Sequence, residues 1–206
     1  MSRKTFACAG AAALVLGAGS LAFTTAALTG SGTSHWLLDG SANQFDLKTA
    51  GSVTTGWVPT PADWQQGNPS PVEIEIGDGA QSQGLGPGHS VSATVAVINA
   101  SPGDLDGMIA VHLVDPDPHG DEIDPTTGRY VDLFDQLQFT ISDDGTVIAD
   151  GLTAEAFNAL DWAWPDPVAR DDHRTLDVTI TLPAEVDDRW QGARTSVQFA
   201  FSGESA

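Results

Sequence analysis

The chain has 206 residues, with 28 aspartates and glutamates against eight lysines and arginines, and a formal net charge of −20 at pH 7. Such a surface repels phosphates and anionic headgroups, so neither nucleic acid nor an acidic membrane surface is an expected partner. The single cysteine, Cys8, leaves the rest of the chain without a disulfide framework, a cysteine metal site or a cysteine nucleophile.

Arg3 and Lys4 precede an apolar run from Phe6 to Leu16, after which glycines and small residues follow. This is the layout of a secretory signal peptide over residues 1–27, with signal peptidase cutting after residue 22, 26 or 27. The run falls short of the ~20 apolar residues that span a bilayer, so no membrane span is expected after cleavage and the mature chain is expected outside the cell. Cys8 precedes the end of the apolar run, the wrong place for lipidation. Residues 28–71, rich in Gly, Ser, Thr, Pro and Trp, read as an extended N-terminal arm with one or two strands, ahead of a folded domain at 72–206.

From Val72 the hydrophobic pattern sharpens to period two, the signature of half-buried strands. Val72, Ile74 and Ile76 share one face; Val91, Ala93, Val95 and Val97 form a second strand, and Ile109, Val111 and Leu113 a third. Leu137, Phe139 and Ile141 centre the next, which returns through Asp144-Gly145, a hairpin signal. Thr153 to Leu160 reads as one short helix, with Thr153 as N-cap and Ala156, Phe157 and Leu160 on one face. Leu176, Val178, Ile180 and Leu182 follow, and Thr195, Val197, Phe199 and Phe201 close the chain. Short alternating strands between Gly, Pro, Asn and Asp turns predict an all-β fold, a jelly-roll-like antiparallel β-sandwich with one short helix. The last strand is expected to lie inside a sheet, because each buried phenylalanine contributes ~1.5 to 3 kcal/mol.

Few side chains advertise chemistry. The histidines His35, His89, His112, His119 and His173 lack the spacing that presents two zinc ligands from one helix, and neither a nucleophile elbow nor a phosphate-binding loop is present. "DPDPHGDEIDPTTGRYVD" gathers Asp115, Asp117, Asp121, Glu122 and Asp124 as candidate calcium ligands, without the glutamate an EF-hand places at its twelfth position. A solvated acidic loop, with no cofactor, is the plainer reading. In "LDWAWPDP", Trp162 and Trp164 face the same side if extended, a candidate surface for stacking on sugars or contacting a protein; core packing is the commoner fate of such rings.

Three stretches carry a resemblance: "LAFTTAALTGSGTSHWLLDGSANQFDLKTAG", "LGPGHSVSATVAVINAS" and "DDRWQGARTSVQFAFSG". With Pro87, Gly88, Val97 and Asn99 in the second and Trp190, Gln191 and Gly192 in the third, the chain resembles the camelysin and TasA-like family of exported bacterial proteins; His89 stands where that family commonly has an acidic residue. The resemblance implies a jelly-roll domain and, as in the matrix-forming members, polymerisation into extracellular fibres in which an N-terminal segment of one subunit adds a strand to the next. Other members are described as metallo-endopeptidases.

Three functions follow as expectations. The first is a secreted, non-enzymatic structural protein that associates with itself or with other matrix proteins, as in a biofilm fibre. A camelysin-type metallopeptidase is the second, and a secreted glycan- or protein-binding module the third. Without a ligand motif for the second, the first leads.

Overall fold

The computed structural model describes residues 45–75, 83–118, 120 and 122–206. Among them the alternating segments form ten strands: β1 (Leu47–Ser52), β2 (Gln65–Gln66), β3 (Val72–Glu75), β4 (Gln83–Gly84), β5 (Ser90–Asn99), β6 (Gly107–Val114), β7 (Gln138–Asp143), β8 (Thr146–Leu152), β9 (His173–Thr181) and β10 (Arg194–Ser205). One helix, α1 (Ala154–Asn158), lies between β8 and β9 in the chain. The larger sheet has the order β2-β1-β5-β9-β7-β8 and the smaller β4-β3-β10-β6; every pair is antiparallel except the short β3–β4 contact.

The predicted alternation places the core. Val91, Ala93, Val95 and Val97 of β5, Phe139 and Ile141 of β7, and Leu176, Val178 and Ile180 of β9 turn inward from the larger sheet. They pack in one cluster with Ile109, Val111 and Leu113 of β6 and with Val197, Phe199 and Phe201 of β10. The last strand is indeed internal, pairing with β3 through Arg194 to Val197 and with β6 through Gln198 to Ser205. Phe199 and Phe201 are each 1% exposed, so removing this strand would strip both sheets of their shared layer.

The sandwich begins earlier than the sequence pattern indicated. β1 pairs with β5 over six residues, and Leu47, Thr49 and Ala50 are buried, so the end of the expected arm belongs to the larger sheet. "LKTAGS" has only one large apolar residue, and the Thr49 hydroxyl, which donates to the Gly67 carbonyl, occupies a core position that reads as polar in sequence. Phe45 extends the attachment to the smaller sheet: its ring lies where a Cβ on Gly107 or Gly203 would stand 2.1 or 2.4 Å away. The signal at 1–27, the remainder of the arm at 28–44 and Ile76 fall outside the described residues.

The helix is shorter than the expected 153–160. Thr153 does cap it, accepting from the Ala156 amide at 3.2 Å, and Ala154 and Phe157 are buried; Leu160 is 52% exposed because the chain has already left the helix. Asp144 and Gly145 take φ of 45° and 79°, the left-handed pair a two-residue hairpin wants. The two best-marked motifs are turns of one kind. His89 donates to the Gly86 carbonyl across Pro87-Gly88, Ala193 donates to the Trp190 carbonyl across Gln191-Gly192, and the third residue of each turn is a glycine with φ of 77° or 83°.

Asn99, fully buried at the end of β5, joins the loops at that end of the sandwich. Its amide donates to the carbonyls of Leu105 at 2.7 Å and Val168 at 2.9 Å, and its Oδ1 accepts from the Ser101 amide at 3.1 Å.

Candidate functional site

A β-sandwich exposes unpaired backbone only at the edges of its sheets, so the edges decide what it can join. On the smaller sheet, β6 is sealed by Asn158, the last residue of α1, and by the segment that follows it. The Asn158 amide group brackets Leu113, with Oδ1 accepting from its N–H and Nδ2 donating to its carbonyl, both at 2.8 Å. Val111 donates to the Trp162 carbonyl, Trp164 donates to the Ile109 carbonyl, and Gly107 and Val168 exchange both bonds. Antiparallel bridges at Ala110–Ala163 and Gly107–Val168 complete this strap.

The edge of the larger sheet differs. β8 pairs with β7 on one side, and no backbone hydrogen bond to a described residue occupies the other. Register shifts beside Phe139 and Ile141 twist it, and Thr146, Val147, Asp150 and Gly151 are exposed along its seven residues. At the opposite edges, β2 and β4 have two residues each.

The strap accounts for the paired tryptophans. Trp162 and Trp164 flank the bridging Ala163, so the two rings do turn to one side, with centroids 4.8 Å apart. That side is the core. Trp164 is 2% exposed, donates from Nε1 to Asp143 Oδ2 at 3.1 Å and stacks on Phe201, while Trp162 is half-buried against the same cluster. Trp164 therefore offers no surface for a glycan. A rim position opposite a strand edge looks the same in sequence as a free extended loop, and only the partner strand distinguishes them.

Tyr130 and Trp190 stack at 4.6 Å, with the Arg189 guanidinium 5.5 Å from the Tyr130 ring, a cluster that residues 60 positions apart in sequence did not suggest. Arg189 also pairs with Asp187 at 2.7 Å, which holds the Asp187 carboxyl below its ordinary range. Arg129 Nη1 donates to both the backbone and side-chain oxygens of Gln191 at 3.0 Å.

In the acidic segment, Asp124 closes a local turn. Its Oδ1 accepts from the Thr126 amide at 2.7 Å, its own amide donates to the Arg129 carbonyl, and Ile123 and Tyr130 bridge above it. The Thr126 amide lowers the Asp124 pKa from its ordinary value. Asp115 accepts from the Asp117 amide at 3.0 Å in a similar turn. Among the described residues no group of three or more His, Cys, Asp or Glu gathers where a metal could be held; Asp121, His35 and His119 lie outside them. His112 is half-buried on β6, and His173 stands edge-on to Trp64 at 5.9 Å. No described helix is long and apolar enough to cross a membrane. No protein-family model matches the chain, and no curated protein sequence matches it.

Proposed function

We propose that this chain is an exported, non-enzymatic structural subunit that assembles at the cell surface or in an extracellular matrix by strand addition. One observation carries the reading: β6 is sealed along its length, whereas β8 leaves one side of a seven-residue strand without a backbone partner among the described residues. An added strand satisfies such an edge at ~0.5 to 1.5 kcal/mol net per hydrogen bond. The two register shifts and the Asp150 carboxylate disfavour a second rigid edge and leave a separate extended segment as the better match. The Gly-, Ser- and Thr-rich sequence ahead of Phe45 is the donor in this reading. The resemblance to camelysin and TasA-like proteins supports that donor, the export and the jelly-roll winding alike.

Size-exclusion chromatography with light scattering and negative-stain microscopy, across protein concentration, test it. The chain beginning at residue 28 is expected to form oligomers or fibres. A chain beginning at residue 45 and a Val147→Lys variant, which sets a lysine on the β8 edge, are expected to stay monomeric with unchanged melting. Monomers from the longer chain at every concentration would overturn the proposal.

A further inference from the structure

The outer face of the larger sheet has a chemistry unlike the rest of this acidic surface. Cross-strand pairing sets Ser92 beside Thr179 and Thr179 beside Thr140; the next row sets Thr94 beside Asp177 and Asp177 beside Ser142. Strands ~4.8 Å apart, with alternate residues ~6.8 Å apart along each, turn these rows into a grid of hydroxyls. The turn at Thr54 to Gly56 rises beside it, closing a groove of about 250 Å³.

Part of the grid is already committed. Thr94 Oγ1 donates to Asp177 Oδ1 at 3.0 Å, and Thr140 Oγ1 accepts from the Gly151 amide at 3.1 Å. The hydroxyls of Ser92, Ser142 and Thr179 and the second Asp177 oxygen make no hydrogen bond to another described residue.

The lining sorts ligands by charge and polarity. It contains no Lys, Arg or His, so an anion finds no counter-charge. One carboxylate is far short of the six to eight oxygens, several of them charged, that hold a calcium ion. An apolar ligand would leave the hydroxyls unpaired. A ligand that donates and accepts at short intervals, and is itself uncharged, meets every requirement. We propose that this groove binds a neutral saccharide chain, with Asp177 accepting from sugar hydroxyls and Ser92, Ser142 and Thr179 exchanging hydrogen bonds along it. The site lies on the opposite face of the sheet from the core and from Trp164, and it does not depend on strand addition.

Titration calorimetry and saturation-transfer NMR on the chain beginning at residue 45 test it, with neutral glucan, mannan and N-acetylglucosamine oligomers as probes beside alginate oligomers and calcium alone. At least one neutral series is expected to bind. Thr179→Val is expected to weaken binding about 3- to 10-fold and Asp177→Ala about 10-fold or more, with melting unchanged in both. Failure of every neutral oligomer to bind overturns the proposal, as does binding that both variants leave intact. Preferential binding of alginate or of calcium, lost in Asp177→Ala, overturns it equally. Oligosaccharide binding by a protein that never assembles would leave this inference standing while the assembly proposal falls.

Discussion

Replacing Asn99 with alanine removes three hydrogen bonds whose partners differ in what they have left. The Val168 carbonyl also accepts from the Gly107 amide, so it keeps a partner. The Ser101 amide and the Leu105 carbonyl lose the only hydrogen bonds they make among the described residues, and Ser101 is 1% exposed. Stranding a buried amide costs ~1 to 3 kcal/mol, the weakened carbonyls add about 1, and the vacated volume at a fully buried site adds a similar amount. The sum is about 3 to 5 kcal/mol against a typical total of ~5 to 15. At ~2 to 4 °C per kcal/mol for a domain of this size, calorimetry should record a drop in Tm of about 6 to 20 °C. Asn99→Asp keeps the acceptor for Ser101 but loses both donors and buries a charge, so it should melt no higher than the alanine variant. A fall of less than 2 °C for Asn99→Ala would refute the argument that these bonds hold the end of the sandwich.

Three further outcomes follow. Asn158→Ala frees both backbone groups of Leu113 at the sealed edge, and light scattering should show faster aggregation on mild heating than for the parent chain; equal rates would mean the strap closes β6 without it. Trp164→Ala should cost ~3 to 5 kcal/mol in chemical denaturation, because it empties a buried site and strands the Asp143 carboxylate, whereas an exposed binding tryptophan would cost under about 1. Asp63, Asp124 and Asp187 have folded pKa values below their ordinary ones, through the Thr60 amide and hydroxyl, the Thr126 amide and the Arg189 guanidinium respectively. A depressed carboxylate stabilises above its unfolded pKa of ~3.9 and stops doing so as pH falls through the lower folded value. Asp124→Ala should therefore flatten the acid limb of the stability curve below about pH 4, and an acid limb identical to the parent's would contradict this assignment.

Much of the fold was legible because period two carries burial directly. Each large apolar residue read as inward from Val91 to Val97, and again from Leu176 to Phe201, packs in the core, since a pleated strand cannot turn successive side chains to the same face. Local turn chemistry was legible for the same reason: Asp144-Gly145 and Thr153 act within a few residues of themselves. The strands expected in the arm did not read as part of the sandwich because β1 gives the core cluster a single large apolar residue, Leu47, beside the buried Thr49 and Ala50, and Leu160 falls outside the helix because a helix end depends on what the chain meets next.

What the sequence determined by itself was therefore the set of inward faces, the turns and the acidity. Its tertiary structure alone decided which edges are sealed, that Trp164 serves the core, and that hydroxyls from β5, β7 and β9 share one groove. The physical reason is range. Alternation and turn propensity act over two to five residues, whereas the contacts of Asn158 with Leu113, Trp164 with Phe201 and Ser92 with Thr179 join residues tens of positions apart, whose meeting is set by strand order.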